Sequence, residues 1–510
     1  AGYQTVDVDN AVIIGYQAGY SNMTSAADGT IAIGYQAGYS ITSGASNTII
    51  GYDAGKALTT TSNNVIIGRD AGNDTTGNNA VIIGSHAGDD NSPSNAVIIG
   101  YRAGRVINGE NAVAIGYDAL KAATEPDNTA VGAYALQTLV DGENNTALGI
   151  AAGYRIDKGD NSTFLGWYAG YNATGSYNTF VGAEAGEGGT SSAPYSSGIG
   201  NVGIGYRALT AFTTGEANIA VGQNSLGNVT TGFYNTAVGD HAGVGITTGY
   251  SNVAIGRAAL YNTTTGLNNT AVGKGAGTYV VGDDITHIGK EAGKNATGSY
   301  NTFVGSEAGK GGTTSAPYSS GTYNTALGYQ ALAGFTTGYQ NVMIGAFTGD
   351  AITTGYNNTA LGYAALSAED TGTRNVAIGN EALKVLNYDG AGYNVAVGHR
   401  AGYALTTGTV NTFIGAFAGG ATDDGTRNVV VGYSAMDTGN AGNDNIAIGY
   451  AALADTTANT NIAIGSYSMI QHTTGTRNIN IGYYTMGDTD AGSTSLGSGD
   501  NVFIGYTAGG

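Results

Sequence analysis

The chain has 510 residues, with 88 Gly, 4 Pro and no Cys, and only 11% of it is charged. A formal charge of −19 argues against nucleic acid as a partner, because phosphate binding needs clustered Lys and Arg. The missing Cys removes disulfides and thiolate metal sites without fixing a compartment, and Gly without an every-third-residue rule excludes collagen.

The chain begins mid-phase: Ala1-Gly2-Tyr3 matches Ala18-Gly19-Tyr20 and Ala37-Gly38-Tyr39, and Ala508-Gly509-Gly510 closes in the same phase. Solenoids normally carry polar caps. The expectation is a segment of a longer array, or ends that abut other subunits in an end-to-end filament. No apolar run reaches about 18 residues, so direct membrane insertion by a helix is not expected.

Between the ends one unit recurs. It stands as Asn128-Thr129-Ala130-Val131-Gly132 with Ala135-Leu136 behind it, and returns at Asn235 to Gly239 and at Asn269 to Gly273. Counting the glycine that closes each unit gives roughly 29 copies, spaced about 16 or 17 residues apart. Such a period predicts an all-β parallel β-solenoid of about 29 short coils, one continuous array over residues 1–510. At about 4.8 Å per coil it would be a rod on the order of 140 Å long.

Each coil reads as two short strands. The residue before the anchor glycine is Val, Ile or Leu (Ile14, Val131, Leu148), and the residue two before it is Ala, Ile or Phe (Ala147, Ile49, Phe164). Strand geometry puts these on opposite faces, so both faces are expected to be buried, one inside the coil and one against a second surface. Two positions after the glycine the residue is variable and often polar (Gln17, Asp53, His86, Arg102, Glu184), which reads as solvent-facing. The third is almost always Ala, and the fourth is Gly, Leu or Met. A Thr-Thr-Gly turn often follows, as at Thr247-Thr248-Gly249.

Four residues before the glycine stands the most regular polar feature: Asn128, Asn145, Asn178, Asn235, Asn252, Asn269, Asn324, Asn341, Asn358, Asn375, Asn411, Asn445, Asn478 and Asn501. In register these would form a structural ladder of amides. Catalysis has no use for so many equivalent asparagines.

The motif Asn-x-Ala-Ile/Val-Gly-x-x-Ala, as in Asn111-Ala112-Val113-Ala114-Ile115-Gly116 and Asn375-Val376-Ala377-Ile378-Gly379, resembles the head repeats of trimeric autotransporter adhesins, the YadA-type heads. The resemblance covers essentially the whole chain, although the coils here are longer than that family's commonest. It implies a left-handed parallel β-roll, a homotrimer about one axis, display outside a cell, and binding to host or matrix surfaces. Similar repeats occur in phage and viral fibres.

Three coils are longer, between Gly182 and Gly205, Gly305 and Gly328, and Gly482 and Gly505. Two carry the same insertion, Ser192-Ala193-Pro194-Tyr195-Ser196-Ser197-Gly198 and Ser315-Ala316-Pro317-Tyr318-Ser319-Ser320-Gly321, offset by 123 residues as if a block had duplicated. Insertions in a solenoid become loops on one face, often the binding face. Pro194, Tyr195, Pro317 and Tyr318 are therefore candidate glycan-binding residues, against neutral variation in loop length. One coil lacks the asparagine, and its His287 stands where Ala or Ile is usual. In a trimer three such rings would form an axial polar layer able to hold a metal or an anion, against a histidine simply hydrogen-bonded in place. His86, His241, His399 and His472 are scattered, without carboxylate or nucleophile partners in a repeated geometry. Calcium nonapeptides and phosphate loops are absent, and no cofactor is expected.

The function expected is a non-enzymatic structural or adhesive fibre on a cell or virion surface, associating with itself and with surface glycans or matrix protein. A phage or viral fibre is the near alternative. An ice-binding module would need unbroken ranks of Thr, and here Thr alternates with Val. A polysaccharide-cleaving solenoid would need converging carboxylates, and here charge is sparse.

Overall fold

A computed structural model describes residues 8–90, 94–190, 195–313, 315–471, 474–486 and 499–509. It divides into two compact units, Ala1–Asn252 and Val253–Gly510. Both are parallel β-solenoids. The first runs from the strand Val12–Ile14 to Thr236–Val238, and the second from Val253–Ile255 to Val502–Ile504. Among the described residues there are 29 strands, each three residues long, and one 3-10 turn, Ser25–Ala27.

The register is set by the anchor glycine. Thr129, Ala130 and Val131 lie beside Thr146, Ala147 and Leu148 in the first unit. Val376, Ala377 and Ile378 lie beside Val395, Ala396 and Val397 in the second. Coils of different length thus stay aligned, and the surplus is left in the turns.

Each coil holds one strand, not two. The stretch after the glycine cannot be extended, because it passes through left-handed backbone twice. After Gly132 these residues are Tyr134 at φ 63° and Leu136 at φ 48°. A third left-handed residue precedes the ladder position, as Asp127 does at φ 61°. Left-handed backbone is costly for most side chains and cheap for Gly, Asn and Asp, which accounts for much of the composition. The anchor glycine answers a different demand. At Gly51 φ is +145°, and an added Cβ would overlap the carbonyl oxygen of Gly68 in the next coil.

The fourth position after the glycine obeys a volume rule. Gly stands there when the strand's central residue is large: a Cβ on Gly170, Gly186 or Gly309 would run into the ring of Phe164, Phe180 or Phe303. Leu stands there only beside a small central residue, as Leu136 does with Ala130 and Leu332 with Ala326, all buried, although Gly also follows some small ones, such as Ala147 and Ala237. The left-handed strain of a leucine is offset by filling a core that must be close-packed.

Only one strand face is covered within a chain. The central residue is buried in strand after strand, while its two neighbours are half-buried or exposed. Leu148 keeps 47% of its surface, Leu361 46% and Ile414 42%. The inward half of the expectation holds, and the second surface it calls for is not supplied by the chain itself: three-residue strands wrap one interior, and the opposite face points out of it.

Candidate functional site

The asparagine position is built for backbone, not for ligand. Asn145 donates its N–H to Asn128 Oδ1 at 3.0 Å and its Nδ2 to Gly159 O at 2.8 Å, while its own Oδ1 accepts the N–H of Ser162 at 3.0 Å. In the second unit Asn341 donates to Asn324 Oδ1 and to Gly355 O, and accepts from Asn358. Each amide ties a strand entry to the turn of the following coil, so buried backbone groups find partners. The same place is held by Asn47, Asn64, Asn201, Asn218, Asn301, Asn394, Asn428 and Asn461. The two motifs quoted above are not equivalent here. Asn375 is buried in this ladder, whereas Asn111 sits one residue earlier, exposed at φ 58°, with Nδ2 on Asp127 Oδ1 at 3.0 Å. Asn63, Asn79 and Asn95 form an outer ladder of the same kind. Sequence spacing alone merges the two.

The variable position after the glycine is half-buried, not fully solvent-facing. Its left-handed backbone lays each side chain along the neighbouring coil, and charges pair there: Arg102 with Asp118, Arg207 with Glu184, and Arg400 with Glu381. Lys384 and Arg400 hold the Glu381 carboxyl below the usual range. His86 and His241 belong to this system, so they do have carboxylate neighbours: Asp89 at 3.1 Å and Asp240 at 2.6 Å. His399 meets the Phe417 ring edge-on, and His472 lies outside the described residues. No group of three or more metal-ligating side chains occurs among the described residues.

His287 does not face a shared axis. It is the central residue of the strand Thr286–Ile288 and is buried inside its own coil, its ring stacked on Phe303 at 4.9 Å. Neither ring nitrogen has a hydrogen-bond partner, and burial drives its pKa down to about 3. It is a neutral ring in an aromatic core, because the central strand position always points inward. Glu369 is a second ionisable group with no exposed surface among the described residues. Burial pushes its carboxyl up to about 7, one oxygen accepting the Gly372 N–H at 2.6 Å and the other unpartnered.

Of the loop residues, Pro194 lies outside the described residues. Tyr195 is half-buried, with the Arg155 guanidinium 4.6 Å from its ring centre. It helps line an open hollow of about 670 Å³ with Tyr154, Asp157, Lys158 and Thr174. Pro317 is exposed, and Tyr318 stacks on Tyr279 at 4.2 Å. Both loops are tied down identically: Thr174 N–H donates to Ser196 O, and Thr297 N–H to Ser319 O, each at 2.7 Å.

One repeated surface feature was not singled out from sequence. Many anchor glycines are followed by Tyr, and the rings stack from coil to coil: Tyr16 on Tyr35 at 5.3 Å, Tyr35 on Tyr52 at 4.8 Å, Tyr433 on Tyr450 at 5.5 Å. They continue the exposed Ile, Val and Leu of the outward strand face. The recurring Gly-Tyr pair among 35 tyrosines was the available signal. No protein-family model matches the chain, and no curated protein does.

Proposed function

We propose that this chain is an extracellular, non-enzymatic fibre protein that trimerises through its outward strand face and attaches a cell or virion to a surface. One observation carries the reading: in each unit an exposed column of Ile, Val and Leu runs beside stacked tyrosines. Monomeric proteins rarely leave a continuous apolar face this extensive in water. Covering a side chain such as Leu148 or Leu361 contributes roughly 1–2 kcal/mol at about 25 cal/mol per Å². Identical chains offer a matching face at every coil, and the resemblance to adhesin heads supports a homotrimer of left-handed β-rolls.

Sedimentation of the purified chain tests the assembly. Three chain masses are expected, and Leu148→Glu with Leu361→Glu should shift the species toward monomer. A soluble single chain would end the trimer. Attachment is tested separately, with chain-coated beads on cultured-cell matrix.

A further inference from the structure

The coils that precede the two loop copies differ in the residue that follows the anchor glycine. Matched by those glycines, Ala133, Ile150 and Trp167 in the first unit become Arg257, Lys274 and Lys290 in the second. Elsewhere this column carries a cation only singly, as at Arg69. Ile150 and Trp167 belong to the exposed apolar face, and in their place Lys274 and Lys290 stand exposed. Charges are costly to bury, so this stretch of the face stays in water. Four of the chain's eight lysines lie between residues 274 and 310. Lys294 and Lys310 each meet Glu291 at 3.3 Å, and Lys290 reaches Glu307 at 3.9 Å. Lys274 makes no ion pair among the described residues, so four lysines against two glutamates leave a positive excess.

Beside these lysines the next column is cut away. The second position after the glycine, elsewhere Gln17, Arg102 or Glu184, is Ala258 in one coil and Gly275 in the next. A Cβ on Gly275 would meet nothing nearer than 3.5 Å, so close packing does not demand the glycine. The missing side chains leave an open hollow of about 330 Å³ within residues 257–294, lined by Ala258, Gly275, Lys274, Lys294, Glu291 and Thr278 among others. Thr278 Oγ1 donates to Gly275 O at 2.8 Å, which leaves its own oxygen as an acceptor.

We propose that this hollow binds an acidic saccharide, its carboxylate or sulfate groups held by Lys274 and Lys294, with Lys290 on the adjoining coil, and its ring hydroxyls by Thr278 and Glu291. This rests on the surface-attachment reading and names a ligand class for it. A neutral sugar would leave the excess charge unanswered. Duplex nucleic acid carries a charge about every 1.7 Å and would set its phosphates against Glu291 and a chain of net charge −19. A sugar polymer is charged more sparsely, which matches a modest excess, and its hydroxyls suit the hydroxyl and carboxylate present. The volume suits a short saccharide.

The test is equilibrium titration of the full chain with tetrasaccharides of galacturonate, of sulfated galactose and of glucose, and with inorganic sulfate. Saturable binding to at least one acidic tetrasaccharide is expected, and the better of the two identifies carboxylate or sulfate as the group held. The glucose probe and free sulfate should bind at least about tenfold more weakly. Lys274→Gln with Lys290→Gln should weaken the acidic probe about tenfold or more. Gly275→Gln keeps every charge and restores the side chain that Gln17 and Gln330 carry at this left-handed position, and it should weaken binding as much. Lys158→Gln, in the first unit, should leave it unchanged. Circular dichroism checks that each variant keeps its β-structure. The proposal falls if neither acidic probe binds, if the glucose probe or free sulfate binds as tightly, or if Gly275→Gln has no effect, which would reduce the site to loose charge attraction. Bead attachment separates the two readings. Beads that attach although no acidic probe binds sink this site and spare the fibre, whereas probe binding without attachment does the reverse.

Discussion

The two copies of the Ser-Ala-Pro-Tyr-Ser-Ser-Gly loop share their footing and differ in what their tyrosine meets. Tyr195 covers Arg155, and Tyr318 covers Tyr279. Arg155 and Tyr279 hold the same backbone place: each donates its N–H to the next coil, to Tyr171 O and to Lys294 O, at 3.0 Å. The coil beneath differs too, with Phe164 tilted against Phe180 in the first copy and His287 stacked on Phe303 in the second. The lesson is that the coil backbone tolerates exchange at its variable positions, so a duplicated loop can acquire a new surface without a new fold.

If the scaffold is the same, breaking it should cost the same in both places. Gly166→Ala and Gly289→Ala each force a Cβ onto the carbonyl of the following glycine, at φ +141° and +131°. Each is expected to destabilise its unit by roughly 3–5 kcal/mol, read from hydrogen exchange of the neighbouring strands. Unequal losses would mean that the copies are not built alike.

Next come the ladder amides under the loops. Asn178 donates Nδ2 to Gly175 O and Gly198 O, and Asn301 donates to Gly298 O and Gly321 O. Replacing either by Ala leaves buried carbonyls unpaired, at about 2–3 kcal/mol in denaturant midpoint.

Acid should separate the copies. The folded pKa of His287 is depressed to about 3, so the unfolded chain takes up the proton first as pH falls below 6.5. The second unit then loses stability between pH 6.5 and 3, by about 1.4 kcal/mol per pH unit. His287→Phe restores the ring of the first copy and should abolish that loss. An unchanged slope in thermal melts would refute the assignment.

Glu369 acts with the opposite sign. Its folded pKa is raised to about 7 from 4.5, so its neutral form is favoured and stability falls as pH rises from 4.5 to 7. Glu369→Gln should raise the melting temperature at pH 8 and leave it unchanged at pH 4. The smallest effect is expected from Tyr279→Arg, which copies Arg155 into the second loop. Stability should move by less than about 0.5 kcal/mol, while the near-ultraviolet dichroism of the Tyr318 stack is lost.

Much was legible because the repeat is short and strict. The glycine before each backbone crossing, the apolar central residue of each strand and the buried amide at Asn145 or Asn341 recur at fixed spacing. Each is demanded by neighbours in the same coil or the next, so local pattern carries the information. The parallel solenoid and its register followed from sequence for that reason. The half-turn after the glycine did not, since left-handed backbone at Tyr134 or Leu136 is invisible in residues that usually avoid it. Nor did the burial of His287, the separation of Asn111 from Asn375, or the meeting of Tyr195 with Arg155, residues 40 positions apart. Those depend on which side of a coil a residue leaves and on what the stacked coils bring beside it, and only the wound chain decides that.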